Sequence, residues 1–282
     1  VKRTLLALSI LALAPAAFGQ ARDTQTGVVG QPHVAPEAPW GGAAQVLFSN
    51  GPIITGTGNG AGGANTSQVQ GGDVSAGFNC NGALPARIAD DFVVPAGQTW
   101  VIDQVTVFAY QTGSSTTSTF TGGSLEIRTA APPGGAVVFG DDTTNRLAGS
   151  AFTNIYRLFA TDPLTGTARP IMANTLATGG LTLGPGTYWI NVGLTGSLAS
   201  GPWCVPVTST NAAAQAGNAI QLFSGAWQPA VDTGSGQQKA QAFLVEGTFI
   251  VPAPAPVNNP LALILLGLAL FGVGAFAVSR RV

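Results

Sequence analysis

Between residues 44 and 250 short apolar runs alternate with clusters of Gly, Asn, Ser and Thr: AQVLFS, DDFVVP, TWVIDQVTVFAY, GSLEIRTA, AVVFGD, TNIYRLFA, GTYWINVGL, AIQLFSG and QAFLVEGTFI. In the third run Val105, Val107 and Ala109 alternate with Thr106 and Phe108, a period of two that reads as a strand. In GTYWINVGL the residues Tyr188, Ile190 and Val192 share one face, and the run is entered from the turn dipeptide Pro185-Gly186. A helix of three or more turns needs apolar residues at i, i+3, i+4 and i+7, and between the termini no stretch supplies them. TNAAAQAGNAI is Ala-rich but short and broken by Gly217. The pattern predicts one all-β domain over residues 44–250, an antiparallel β-sandwich of jelly-roll-like or Ig-like type.

Both termini break this pattern. Residues 1–19 carry Lys2 and Arg3, an apolar stretch and small residues at Ala17 and Gly19, the layout of a secretory signal helix. Residues 20–43 hold prolines and little apolar periodicity and read as a flexible leader. At the other end, residues 251–260 form a Pro-rich spacer with Pro252, Pro254, Pro256 and Pro260. Residues 261–278 lack charge and as a helix would reach roughly 27 Å, the span of one membrane crossing. Residues 279–282 are basic, so Arg280 and Arg281 would mark the cytoplasmic side.

The motif around Pro254, Pro256, Asn258, Asn259 and Pro260, the apolar run and the pair Arg280 and Arg281 together resemble the C-terminal sorting tails of Gram-negative bacteria, the PEP-CTERM and IPTL-CTERM groups. PAPVNNP stands where the first group has Pro-Glu-Pro, and the Ile-Pro-Thr-Leu opening of the second is absent. The resemblance implies export by the secretion machinery and processing by an exosortase-type membrane protease. It also implies a cell-envelope or extracellular location, with transient or permanent anchoring through the C-terminal helix. A permanent single-pass anchor stays open beside it, as does a GPI signal. The stretches ADDFVVPAGQTWVIDQVTVFAYQTGSSTTSTFTGGSLEIR, LGPGTYWINV and LASGPW are similar to an exported bacterial domain without an established activity, which implies no catalytic residues.

Composition narrows the chemistry. Only 8% of residues are charged, the formal net charge is −1, and four of the 11 Lys and Arg sit at the two ends. No basic stretch is left to neutralise a phosphate backbone, which excludes nucleic acid as a partner. The single histidine, His33, lies in the leader, so the domain holds neither a Ser-His-Asp triad nor a His-ligated zinc site. Cys80 and Cys204 are the only cysteines, and an exported chain can join them, although separate thiols fit the sequence equally well. GNGAGG at 58–63 matches a nucleotide-binding pattern but precedes no helix, so it reads as a loop.

Three weaker features remain. Asp141, Asp142 and Asn145 in GDDTTN supply the hard oxygen ligands calcium prefers, without the EF-hand spacing; calcium is the one cofactor considered, and otherwise none is expected. Acids such as Asp90, Asp91, Glu126 and Glu246 leave a two-carboxylate glycosidase conceivable, although no spacing selects a pair. Large aromatics default to the core. Trp203 is the exception, since SGPWCVP places it in a Gly-Pro loop where a ring can be displayed to a sugar. The expected function is a non-enzymatic, exported structural or adhesive protein of cell surface or extracellular matrix. The alternative is a carbohydrate-binding module for extracellular polysaccharide, with or without calcium.

Overall fold

The computed structural model describes residues 45–250, and its strands fall into two sheets. The larger has the order β1 (Gln45–Ser49), β14 (Phe243–Ile250), β5 (Thr99–Tyr110), β9 (Pro170–Leu183), β8 (Leu147–Leu158) and β2 (Asn65–Gln68). The short strands β3 (Phe78–Asn79) and β11 (Trp203–Cys204) join it at the end of β5. The smaller sheet runs β13 (Ala226–Pro229), β12 (Ile220–Phe223), β4 (Arg87–Val94), β10 (Gly186–Gly196), β6 (Phe120–Arg128) and β7 (Val137–Asp141).

The main core lies between the sheets. Ile88 and Phe92 of β4, Leu125 and Ile127 of β6, and Ile190 and Val192 of β10 meet Val105 and Val107 of β5, Met172 and Leu176 of β9, and Phe243 and Val245 of β14. Each such side chain contributes about 1.5–3 kcal/mol on leaving water. Phe92 also stacks on Trp100, with centroids 6.2 Å apart.

A purely antiparallel sandwich is not what forms. The larger sheet is mixed, because β2 runs parallel to β8, and it curls into a half-barrel. Its second face carries another core of Phe108, Tyr110, Ile155, Ile171, Ala173 and Leu244, covered by Ile53, Val69, Val205 and Val207. The physical reason is visible in β5: Val105 and Val107 serve one core while Thr106, Phe108 and Tyr110, facing the other way, are buried too. Alternation reports which residues share a face, but not that both faces are covered.

Buried charges tie the covering segments down. Arg157 of β8 donates to the Ala76 carbonyl at 2.7 Å, to Ser67 Oγ at 2.9 Å and to Thr208 Oγ1 at 2.8 Å. Lys239 Nζ lies 2.7 Å from Asp73 Oδ2 and also donates to the side-chain oxygens of Gln215 and Gln237.

The signal helix at 1–19, the leader at 20–43, the spacer at 251–260, the membrane helix at 261–278 and the basic end at 279–282 lie outside the described residues. Among the described residues the only helices are two 3-10 turns, Ala61–Gly63 and Ala212–Gln215, and none is long and apolar enough to cross a membrane. The expected membrane anchoring, both as partner and as location, is corrected accordingly. A signal helix and a membrane helix are likewise no part of the described fold.

Candidate functional site

The outward face of the smaller sheet collects the polar and aromatic side chains that neither core absorbs. Directly opposed residues of an antiparallel pair point to the same side, so the register writes this face out row by row. In one row Leu222 stands opposite both Trp227 and Arg87. The next row runs Pro229, Ile220, Ala89, Asn191, Glu126 and Gly140. In the third, Asp91 and Arg128 flank Trp189. Trp227 is carried there by a tight hairpin in which Ser224 and Gly225 both take positive φ, 51° and 81°.

Hydrogen bonds fix this face. Arg87 Nε donates to Asn191 Oδ1 at 2.7 Å, and its Nη1 donates to Ser124 Oγ at 2.9 Å and to the Asp142 carbonyl at 3.3 Å. Gly193 makes room for that guanidinium, since a Cβ there would lie 2.9 Å from Nη1. Burial pulls the Arg87 pKa down, opposed by the charges of Glu126, Asp142 and Asp141. Glu126 Oε2 accepts from Asn191 Nδ2 at 2.6 Å and from Arg128 Nη1 at 3.0 Å. Asp91 Oδ1 accepts from Asn218 Nδ2 at 2.9 Å. Arg87 and Asn191 are themselves buried, so Glu126, Arg128 and Asp91 are the partly exposed polar groups in these rows.

The tryptophans divide into two kinds. Trp100 is buried with its indole N–H donated to Gln98 Oε1 at 2.8 Å, and Trp203 donates to Ser200 Oγ at 3.2 Å. Trp189 and Trp227 are half-buried, and neither indole N–H meets an acceptor among the described residues. Both lie on the outward face of the smaller sheet.

The residues singled out from sequence are dispersed. Trp203 is half-buried in β11 and packs against the second core. Asp141 closes its own turn: Oδ1 accepts from Thr143 and Thr144 and Oδ2 from the Thr144 hydroxyl, with Arg146 Nη2 at 3.5 Å. The Thr144 and Thr143 donors hold its carboxyl well below the usual carboxylate range. Asn145 Oδ1 accepts from the backbone of Gly123 and Leu147. These oxygens serve the turn, and no group of three His, Cys, Asp or Glu side chains suited to a metal occurs among the described residues. Cys80 and Cys204 are joined in a disulfide with Cα atoms 5.9 Å apart, both fully buried. The sorting-motif residues Pro254, Pro256, Asn258, Asn259, Pro260, Arg280 and Arg281 lie outside the described residues.

Of the acids, Asp90 points into the core while its neighbour Asp91 faces outward with Glu126, and Glu246 sits on the larger sheet, accepting from Thr106 and Gln104. Sequence reasoning placed Trp189 by default in the core. The signal that finds it was present: Tyr188, Ile190 and Val192 share the inner face, which sends Trp189 and Asn191 outward. Trp227 gave no such signal, because its strand is four residues long. No protein-family model, curated protein or solved structure matches this chain.

Proposed function

We propose that this is an exported, non-enzymatic carbohydrate-adhesion protein that engages glycans through the outward face of its smaller sheet. The observation that carries the reading is the pair of half-buried tryptophans, Trp189 and Trp227, on one face, with indole N–H groups that meet no acceptor among the described residues, beside the partly exposed Asp91 carboxylate and the exposed Asn218 amide. Such rings offer a flat apolar surface to a sugar ring and an N–H to its hydroxyls. Export is supported by the buried disulfide, because such bonds persist in oxidising compartments.

Retention of the domain on immobilised cellulose, xylan, chitin and mixed-linkage glucan tests the reading. Binding to at least one polymer that Trp189→Ala weakens supports it. No retention on any of them would overturn it, and release of reducing ends from a bound polymer would overturn its non-enzymatic part.

A further inference from the structure

Asn-Gly dipeptides occur three times in this chain, at 50–51, 59–60 and 81–82. An asparagine before glycine loses its side-chain amide more readily than one before any other residue, because glycine has no Cβ to keep its backbone nitrogen away from the preceding Cγ. Folding treats the three differently. The Gly60 N–H donates to the Ala64 carbonyl and the Gly82 N–H to the Leu194 carbonyl, each at 2.8 Å, so both nitrogens are held elsewhere. The Gly51 N–H meets no acceptor among the described residues, and Gly51 takes a φ of 104° that glycine adopts without strain.

The surroundings of the Asn50 side chain supply the second component. Asn50 is half-buried at the end of β1, and its Nδ2 donates to Asp90 Oδ2 at 2.7 Å and to the Gln241 carbonyl at 2.9 Å. Asp90 is fully buried on β4, and its carboxyl also accepts from the backbone N–H groups of Gln241 and Asp91, at 2.7 and 2.9 Å. Burial pushes that carboxyl up to about 8, so it carries a proton at neutral pH. The nitrogen that would depart from Asn50 therefore lies within hydrogen-bond reach of an acid.

We infer that Asn50-Gly51 is a self-modification site, at which the Gly51 nitrogen displaces the Asn50 amide as ammonia with Asp90 as the proton donor. The Gly51 N–H gives its proton to water as its nitrogen bonds to Asn50 Cγ and closes a five-membered succinimide. The Cγ–Nδ2 bond breaks, Asp90 protonates the departing nitrogen, and the Asp90 carboxylate regains a proton from solvent. Water then opens the ring at either carbonyl and leaves aspartate or isoaspartate at position 50. One water is taken up and one ammonia is lost, with no oxidant or cofactor required.

Either product sets a second carboxyl against Asp90 and the Gln241 carbonyl, where the amide had supplied both with a donor. Isoaspartate also adds a methylene to the backbone beside the bond from Asn50 N–H to the Phe243 carbonyl. β1 is an edge strand paired only with β14, and the Asn50–Asp90 hydrogen bond ties its end to the smaller sheet. The reaction thus loosens β1 in one direction only, as a timer that starts when the chain folds.

Peptide mapping by mass spectrometry of the protein held at neutral pH tests the inference, with the native and the denatured chain followed in parallel. In the native protein Asn50 is expected to convert at least about tenfold faster than Asn59 or Asn81, a modest share of what a placed proton donor contributes. In denaturant the three rates should converge. Asp90→Asn, shown to be folded by its thermal melt, should slow Asn50 alone, and Asn50→Asp, which installs one product, should lower Tm. Equal rates at the three sites of the native protein would overturn the site. A fast Asn50 that a folded Asp90→Asn leaves unchanged would overturn the proton donor, and an Asn50→Asp variant with the parent's Tm would overturn the loosening of β1. If Asp90→Asn does not fold, the native and denatured rates of the parent protein decide: an Asn50 rate that denaturation fails to lower relative to the other two comes from local sequence and overturns the inference.

Discussion

Removal of the Cys80–Cys204 bridge gives the sharpest stability test. The two residues are 124 apart in sequence, with both side chains fully buried. A closed loop of that length restricts the unfolded chain by about 5 kcal/mol in the chain-entropy model. The native partners remain: Cys80 N–H still donates to the Pro202 carbonyl, and β11 still pairs with β3 and β5. The loss should therefore arise almost wholly in the unfolded state. For a domain of roughly 200 residues an unfolding entropy of about 0.4 kcal/mol/K converts this into a Tm fall of about 12 °C for Cys80→Ala/Cys204→Ala. Urea unfolding of the oxidised protein and the double variant should also show a larger m for the variant, because its unfolded state is less compact. The reasoning fails if thiol titration confirms the bridge in the parent protein yet the two differ by less than about 1 kcal/mol. The segments around β3 and β11 would then stay together in the unfolded chain without a covalent link.

Three further outcomes are expected. Burial pushes the Asp90 carboxyl up to about 8 against the N–H donors of Gln241, Asp91 and Asn50, so the folded protein holds a proton that the unfolded chain releases near pH 4. Stability should fall as pH rises from about 4 to about 8, and Asp90→Asn should flatten that decline in denaturation curves taken across the window. Lys239→Met leaves the Asp73 carboxylate buried without its cation and should cost about 3–5 kcal/mol by chemical denaturation. Adding Asp73→Asn should recover part of this loss, and strict additivity would show that the pair is not coupled. Millimolar calcium should leave Tm unchanged, because the Asp141 carboxylate and the Asn145 amide oxygen already serve their own turn; a saturable rise would refute that account.

The all-β character was legible because strand periodicity is local: each of the nine apolar runs contains a strand, and Tyr188, Ile190 and Val192 face the core together. The longest strand, β9, left no comparable mark. Its PIMANTLATGGLTL mixes Ala, Asn, Thr and Gly, and Gly179 and Gly180, both at positive φ, mimic a turn where the strand shifts register against β5. Burial on both faces removes the polar half of the alternation, so the segment resembles a loop.

What the sequence determined by itself was therefore the alternation within each strand, and with it the outward direction of Trp189, together with the inventory that leaves the domain without histidine. Tertiary structure alone decided the parallel partnership of β2 with β8, the closure of Cys80 onto Cys204 and the meeting of Trp189, Arg87, Asp91 and Trp227 on one face. Those contacts join residues tens to more than a hundred positions apart. A periodic pattern sets the direction of each side chain relative to its own strand, but which strands become neighbours is settled by competition among all possible pairings for the same buried surface.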